Sequence, residues 1–367
     1  MQKDFHYGLT YTVASLAGFS QTEAEIIAYA SAYVDDATNS GTIRFDNGAM
    51  FLRIASAHKM LDYRNFRELA ENYVWIPFHF LPGNGGKKAG ENLKGKFIKK
   101  LICLPDSYVA QEMIKSCIED KDKPYALHRL GIALHVYADT WAHQGFAGVS
   151  SDENNVSEIK ELAGYDERAL TMVERLKKFF GDIFDEINSK FMEGFLPLGH
   201  GAALAYPDLP YLKWSYKNKD GETIIRDNPL EFLESADRMY QSMCRYLSGN
   251  DKAPVEGLPL ESKEKIDYFL RSFKEEEEDD RHQKWLELLA RGEFGFDPVE
   301  LNYTPKGKGS WKYQALGTEK YLDDGDEVFT YSPGFLISNW KHFHDALLAH
   351  RFAVVNEILP RYGICTE

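Results

Sequence analysis

The residues best suited to chemistry in this sequence are His135, Asp139 and His143, which recur at every fourth position in one apolar segment. Each residue of an α-helix advances by about 100°, so this spacing places the three side chains on consecutive turns of one helix face. His128 lies within about 20° of His135 on the same face. The rest of the segment is apolar nearly all round, which predicts a buried helix.

Two interpretations fit polar groups on a buried helix face. Imidazole and carboxylate side chains are costly to bury unless they are paired, hydrogen-bonded or bound to a metal ion. Two histidines and an aspartate in this order can form part of the ligand shell of a zinc-like ion, and the pattern favours this interpretation. The alternative is a core helix whose histidines bond to backbone carbonyls or to acidic side chains.

A pair of adjacent acids, Asp35 and Asp36, closes an early apolar helix. Adjacent carboxylates point in different directions, so one can bind a metal ion while the other orients a ligand or bonds to the backbone. Negative charges at a helix C-terminus oppose the helix dipole, which argues against a purely structural role. We therefore expect a functional role for this pair.

Several histidines and one aspartate elsewhere could complete a site. His6 lies close to the N-terminus. His79 lies in an apolar run that should be interior, and we favour it over His58, which comes late in a predicted helix. His200 is flanked by two glycines, which let the backbone approach a ligand closely, and Asp208 follows it in the same loop.

The elements that must position these residues are predicted to be mainly α-helical over the first 250 residues. Apolar periodicity and capping residues indicate the helices. They are predicted over 9–17, 20–34 (opened by the capping box Ser20-x-x-Glu23), 48–61, 63–73, 107–119, the His-Asp-His segment, 158–190 and 227–247. Residues 193–215 are dense in Gly, Pro and aromatic residues, which is typical of an ordered functional loop.

Two domains are predicted: a helical metal-binding domain over residues 1–250 and a C-terminal helical extension over residues 251–367 that packs on it. The Pro- and Gly-containing stretch 251–259 is the best linker between them. Within the extension we expect a charged helix pair over 261–291, a short β and loop segment within 292–335, and a final helix with His342, His344 and His350.

The charge balance limits the class of partner. The chain has 367 residues and a net charge of −14. Such an acidic chain argues against an extended nucleic-acid surface and against stable association with an anionic membrane. The acidic run over residues 274–280 is predicted to be a solvated helix face, with His282 on the surface.

Compartment and reaction class are limited by other sequence features. The four cysteines show no Cys-x-x-Cys spacing, which indicates free thiols in a reducing compartment. The N-terminus carries no apolar signal core and no run approaches the ~18 apolar residues of a membrane span, so we expect a cytoplasmic protein. The serine-hydrolase motif Gly-x-Ser-x-Gly and the phosphate-binding P-loop are both absent.

The order of the candidate residues resembles the zinc-dependent phospholipase C superfamily, which includes the fungal single-strand nucleases. Its members are all-helical and hold three zinc ions in a cleft. Their ligands come in the order N-terminal amine and His, Asp, His, His-x3-Asp, His, then a final His and acid. The resemblance implies the following ligands here: His6, Asp36 (or Asp35), His79 (or His58), His135, Asp139, His143, His200 and Asp208.

This resemblance covers roughly the first 210 residues. It implies a phospholipase C-like helical bundle, here with a mixed, loop-rich C-terminal extension. Two departures stand out: the superfamily begins its mature chain with Trp where this chain has Met1, and it usually spaces Asp139 and His143 more widely. Over its whole length the chain also resembles bacterial proteins without an assigned activity that share the phrase at residues 134–146.

The function implied is a metal-dependent hydrolase of phosphate esters with two or three zinc ions, or another divalent metal. Asp139 would bridge two ions, the histidines would fix them, and Asp36 would bind metal or act as a base. Aromatic side chains of the 193–215 loop would stack on the substrate or line an apolar pocket: Tyr206, Tyr211 or Trp214. An acidic protein suits a small phosphoester substrate better than a long nucleic acid.

Two alternatives remain at the level of sequence. One is another helical metal-dependent phosphohydrolase, which would need an adjacent His-Asp dyad, and the chain offers His344-Asp345. The other is a non-catalytic helical protein in which a metal ion joins helices through a closed ligand shell. The number of ions per chain would separate these alternatives, and the sequence leaves the oligomeric state open.

Overall fold

The computed structural model describes residues 1–58, 71–162, 196–321, 325 and 327–365. A buried helix, α6 (Ala126–Ala142), lies in the middle of the fold and carries the His-Asp-His pattern. All of its residues except Leu127 are buried. A helix that is apolar all round can be stable only when other elements cover it on every side, and this is its position here.

Helix α2 (Gln21–Asp36) packs directly against α6. The Ser20 side chain accepts a hydrogen bond from the Glu23 backbone N–H and Glu23 bonds back, so the predicted capping box is confirmed. Gly131 allows the two helices to approach closely, because a Cβ at this position would lie 2.4 Å from the carbonyl oxygen of Ile27. This packing brings the C-terminal end of α2 alongside the histidines of α6.

The remaining helices pack on this pair or on one another. They are α1 (Thr10–Ala17, preceded by a π-helical turn at Asp4–Leu9), α3 (Ile76–Phe78), α4 (Ile98–Leu101), α5 (Tyr108–Glu119), α7 (Asn228–Ser248), α8 (Leu260–Ser272), α9 (Glu278–Ala290), α10 (Trp311–Leu316) and α11 (Asn339–Phe352). The Ser107 hydroxyl caps α5 as its sequence predicts. Within the described residues, no helix combines the length and apolarity that crossing a membrane requires.

The described residues also form two three-stranded sheets. The first has the order β2 (Met50–Arg53), β1 (Gly41–Phe45), β6 (Val328–Phe329), with β1 antiparallel to β2 and parallel to β6. The second has the order β3 (Ser157–Glu161), β4 (Lys213–Lys217), β5 (Thr223–Asp227), and its neighbours are all antiparallel. The predicted class, a mainly α phospholipase C-like bundle, is therefore wrong: the fold is mixed, with two sheets packed around a helical core.

Two helix predictions fail where strands form instead. Residues 50–53, predicted within a helix over 48–61, form strand β2 and alternate in exposure with a period of two. The predicted helix over 158–190 begins in strand β3, and its part from residue 163 on lies outside the described residues, as does most of the predicted helix over 63–73. Pairing with another strand decided the structure in both cases, with the neighbouring β1 for β2 and with the distant β4 for β3, and the periodicity of one segment does not report such pairing.

The hydrophobic core joins residues from both ends of the chain. One cluster includes apolar side chains of α1, α2 and α6 together with α9 and α11. A second, smaller cluster lies under β3 and β4 and includes Phe80, Phe146 and Trp214. The division into domains at residue 250 stays a prediction, and the helices on the C-terminal side of that residue pack on those before it.

Candidate metal centre

The structure brings eight of the predicted site residues together in one buried cluster. Asp139 on α6 lies at its centre and is 1% exposed. The other members come from the N-terminus, the end of α2, the turn after α3, the rest of α6 and the 193–215 loop: His6, Asp35, His79, His135, His143, His200 and Asp208. Three groups of them have ligand atoms within 4.8 Å of one another: His6–Asp35–His135, His79–His135–Asp139 and His143–His200–Asp208.

The two oxygens of Asp139 face different partners. Oδ1 lies 2.7 Å from the amino nitrogen of Met1 and 3.2 Å from Nε2 of His6. Oδ2 lies on the other side, 3.3 Å from His135 Nε2, 3.5 Å from His79 Nδ1 and 3.7 Å from His143 Nδ1. A carboxylate in this position can bridge two ions, one on each oxygen.

Close packing of the backbone delivers the loop ligands. His79 follows α3 directly, and His200 and Asp208 flank two short helical turns. Gly199 has φ +54°, and a Cβ there would lie 2.4 Å from the ring of Phe80, so only glycine fits. His143 Nε2 and His200 Nε2 each lie 3.4 Å from a carboxylate oxygen of Asp208.

Four histidines are oriented by backbone carbonyls. One ring nitrogen of each lies within hydrogen-bond distance of a carbonyl oxygen and so carries the proton it donates. The pairs are His135 Nδ1 to Ser31 O (2.9 Å), His79 Nε2 to Ser56 O (2.9 Å), His143 Nδ1 to His79 O (2.7 Å) and His200 Nδ1 to Leu204 O (2.8 Å). In the neutral ring the other nitrogen then has a lone pair, and in all four histidines this nitrogen faces the cluster.

Two of these lone pairs face each other. His135 Nε2 and His79 Nδ1 lie 3.3 Å apart, and both also face Oδ2 of Asp139. Three electron-rich atoms at such distances repel one another unless a proton or a cation lies between them. The arrangement therefore fits a bound cation better than a set of histidines that only bond to the backbone.

Protonation states suit metal ligands. Burial lowers the pKa of His6, His135 and His200, the last to about 4, so these rings are neutral at pH 7. Burial opposes ionisation of Asp139, but the Met1 ammonium and the neighbouring histidines hold its pKa well below the usual range. Neutral imidazole and ionised carboxylate are the forms that bind metal.

Two further observations support a cation. Within the described residues, neither ring nitrogen of His6 makes a hydrogen bond of good geometry, although the ring is buried and its Nε2 lies 3.2 Å from Asp139 Oδ1. The pocket walls desolvate Asp35 and the charge of Asp139 repels it, and both raise its pKa well above the usual range, although 44% of its side chain stays open to the pocket. A cation would relieve this repulsion and satisfy the unpaired atoms.

Asp36 does not join the cluster, which corrects the predicted ligand and base. Its Oδ2 accepts a hydrogen bond of 2.6 Å from the Tyr303 hydroxyl, beside a separate small cavity that Lys306 also lines. Neighbouring residues on a helix point about 100° apart, so only one acid of the pair can face α6. That acid is Asp35, whose Oδ1 lies 3.7 Å from His79 Nδ1 and 3.8 Å from His135 Nε2.

A pocket of about 310 Å³ opens beside the cluster. Asp35, Asp139 and Asp208 are among its lining residues. Its apolar wall consists of Ala57, Trp75, Phe80, Leu198, Leu204 and Ala205. None of these wall residues was predicted, although Trp75 and Phe80 belong to the apolar run that contains His79.

The aromatic residues predicted to line the substrate pocket lie elsewhere. Trp214 is fully buried under the second sheet, where its indole N–H donates to Asn228. Tyr206 is half-buried and its hydroxyl donates to Glu161, and Tyr211 does not line the pocket. The segment before β4 instead supplies His200, Asp208 and aliphatic residues to the site.

The remaining histidines have other surroundings. His58 lines the pocket but belongs to none of the three ligand groups. His344, of the alternative His-Asp dyad, is buried against the backbone of Ile54, and Asp345 pairs with Lys341. His282 is 8% exposed, so its predicted surface position is wrong. His128, His342 and His350 lie outside the cluster: His128 contacts Asn339, and His350 contacts the carbonyl of Pro77.

The comparisons with known proteins place the chain in a family. It belongs to DUF6765, a family of unknown function, which matches residues 1–358. No match was found among curated proteins or among solved structures. The match includes every residue of the cluster, so the centre lies within the part of the chain that defines the family.

Proposed function

We propose that this protein is a zinc-dependent hydrolase of phosphate esters that binds two or three ions around Asp139. One observation carries the proposal: the unprotonated nitrogens His135 Nε2 and His79 Nδ1 lie 3.3 Å apart, beside the ionised carboxylate of Asp139. Imidazole nitrogens and carboxylate oxygens are common zinc ligands, and fixing each ring through a carbonyl is typical of metal-binding histidines. Ions bound there would neutralise phosphate charge and activate water.

The protein's own residues supply binding and proton transfer. Asp139 offers one oxygen to the group around His6 and the other to the group around His135 and His79. Asp208 offers its oxygens to His143 and His200 in the third group. Asp35, partly exposed and with a raised pKa, can accept a proton from an attacking water or bind an ion itself.

The pocket supports a phosphoester as substrate. The part of the chain that the structure describes contributes no Lys or Arg to the pocket lining, and the Met1 ammonium that lines it is already paired with Asp139 and Asp208. Bound metal cations would therefore have to balance the phosphate charge. The apolar part of the pocket lining suits the organic part of a small ester. A site in which ligands closed the shell completely would leave no such space, which favours catalysis over a purely structural metal.

The test combines metal content with hydrolysis. We expect two or three zinc equivalents in wild-type protein prepared without chelator and reconstituted with zinc. We also expect zinc-dependent cleavage of bis(p-nitrophenyl) phosphate that a chelator abolishes and zinc restores. Asp139→Asn, which keeps the shape of the side chain, should lose most of the metal and at least about 100-fold in activity.

Asp345→Asn is the matched control. It removes an aspartate of similar type that pairs with Lys341 and lies outside the cluster, so metal content and activity should be unchanged. Loss of activity in this variant would instead favour the His344-Asp345 phosphohydrolase. Wild-type protein that binds zinc but cleaves neither phosphodiesters nor phosphomonoesters would favour the structural metal, and wild-type protein without bound metal would refute the proposal.

A further inference from the structure

We infer that Arg281, on helix α9, is a positioning residue for the metal centre that holds residues 2–4 in place and thereby fixes His6 beside Asp139. The inference rests on the metal-binding part of the proposed function. The acidic run over residues 274–280 was predicted to be a solvated face, but part of it forms this attachment. The C-terminal part of the chain would then take part in metal binding although it supplies no ligand.

The contacts of Arg281 use all three of its nitrogens. Nε donates to Asp4 Oδ2 at 2.8 Å and Nη2 donates to the side-chain oxygen of Gln2. On the other side Nη1 donates to the backbone carbonyls of Glu276, at 2.9 Å, and Glu275. Arg281 is 0% exposed and Asp4 is 2% exposed, so this ion pair is shielded from competing water.

Residue 3 adds two contacts to the same helix. The backbone N–H of Lys3 donates to Glu278 Oε2 at 3.1 Å, and its ammonium pairs with Asp279. Residues 2, 3 and 4 are therefore each bound to α9 or to the segment just before it. Chain termini are poorly ordered unless they are bound to the rest of the fold, and here these contacts act together with the pairing of the Met1 ammonium with Asp139.

The attachment reaches the cluster through one helical turn. Asp4 and His6 lie two residues apart in the turn Asp4–Leu9, so their side chains point to roughly opposite sides. Asp4 faces Arg281 and His6 faces Asp139, with Nε2 3.2 Å from its Oδ1. The rotation that binds Asp4 to α9 is thus the rotation that directs His6 into the cluster.

Arginine suits this role better than lysine. Its planar guanidinium contacts a carboxylate, an amide oxygen and two carbonyls in fixed directions, whereas an ammonium could not reach all four. Loss of the side chain would leave the Asp4 carboxylate buried without its charge partner, so residues 2–6 would have to rearrange. We expect the ion nearest His6 to be bound more weakly as a result.

The experiment measures zinc stoichiometry and affinity in the full-length protein, with the visible spectrum of the cobalt-substituted form as a second readout. The variants are Arg281→Gln and Asp4→Asn, which break the pair from either side. We expect each to weaken one zinc equivalent by at least about 10-fold and to leave the others bound. The control is Arg129→Gln. Arg129 lies near the N-terminal end of α6, far along the helix from His143, is 4% exposed and pairs with Asp120.

A double-mutant cycle tests whether Arg281 acts through His6. In a His6→Ala background, Arg281→Gln should have little further effect on zinc affinity, because the group it positions is gone. If Arg281→Gln does not fold, Asp4→Asn decides. Full zinc binding in the folded variants would overturn the inference and leave the proposed function intact. A loss of zinc affinity in Arg129→Gln equal to that in Arg281→Gln would have the same meaning. Wild-type protein without zinc would overturn both the inference and the proposed function.

Discussion

Exchange of the two adjacent aspartates for asparagine gives the sharpest test of the site geometry. Asp35 and Asp36 stand side by side at the end of α2, and each substitution removes one negative charge from the same helix terminus. Helix propensity and the helix dipole therefore change almost equally in the two variants. A difference in metal binding between them must come from the direction in which each side chain points.

The expected loss in Asp35→Asn follows from its distances. Asp35 Oδ1 lies 3.7 Å from His79 Nδ1 and 3.8 Å from His135 Nε2, so an ion bound between these atoms would be closer than that to the carboxylate. Two unit charges about 4 Å apart at an effective dielectric of about 20 interact by about 4 kcal/mol. Because 44% of the side chain is exposed, solvent screening reduces this energy, and we expect zinc affinity to fall about 100-fold.

Asp36→Asn should affect stability and leave metal binding unchanged. In the wild type the Tyr303 hydroxyl donates a hydrogen bond of 2.6 Å to Asp36. The asparagine oxygen can still accept this bond, but without the negative charge that strengthens it. We expect the free energy of unfolding to fall by about 1 kcal/mol, with wild-type zinc stoichiometry.

Competition with a chromophoric chelator gives the affinities, and elemental analysis gives the stoichiometry. Wild-type zinc affinity in Asp35→Asn would refute the assignment of Asp35 to the centre. A loss of zinc affinity in Asp36→Asn as large as in Asp35→Asn would show that the total charge at the helix end matters and that the direction of each side chain does not.

Three further outcomes follow from the structure. Leu198→Ala should raise the KM for apolar phosphodiesters about 5-fold with little change in kcat, because it removes part of the apolar wall and no cluster atom; equal changes in both constants would contradict this. Burial lowers the pKa of His350 to about 3, so the unfolded chain takes up a proton below pH ~6.5 that the folded chain does not. Between pH 6.5 and 5 the wild type should therefore lose about 1.6 kcal/mol more stability than His350→Gln, measured by urea unfolding, and parallel curves would refute this. Removal of metal by a chelator should lower the Tm of the wild type by at least about 5 °C, because a ligand that binds only the folded state stabilises it. The Tm of Asp139→Asn should stay nearly unchanged, and equal shifts in the two proteins would count against metal binding at Asp139.

Local spacing was enough to predict the central part of the site. His135, Asp139 and His143 lie on one helix, where their relative directions follow from helix geometry alone. The flanking glycines identified His200 because they report a local backbone requirement, and Gly199 indeed has a positive φ and no room for a side chain. These predictions needed no information on how distant segments pack.

The choice between Asp35 and Asp36 required such information. Helix geometry states that the two acids point apart, but which of them faces α6 depends on how α2 is rotated against it. That rotation is set by contacts such as the close approach at Gly131 to Ile27, between segments about a hundred residues apart in the chain. The sequence pattern therefore offered both Asp35 and Asp36 as ligands and could not decide between them.

The pairing of the strands into sheets and the C-terminal attachment were missed for the same reason. The short β segment predicted within 292–335 is confirmed by strand β6 (Val328–Phe329), but nothing local to it indicates that it pairs in parallel with β1. The run over residues 274–280 has the composition of a solvated face, yet Glu278 and Asp279 bind Lys3. Both features depend on contacts between the two ends of the chain, which composition and spacing do not encode.

The same long-range contacts bear on whether the metal would be structural or catalytic. A structural ion needs ligands that close around it, whereas here Asp35 stays partly exposed at a pocket with an apolar wall. Meanwhile the buried pair of Arg281 and Asp4 holds the N-terminal turn from outside the cluster. Ligands that are already held in place by the fold do not need the ion to assemble them, which leaves the ion free to interact with a substrate. An open ligand shell on a rigid frame is the arrangement that catalysis requires, and we therefore place the hydrolase first and the structural metal second.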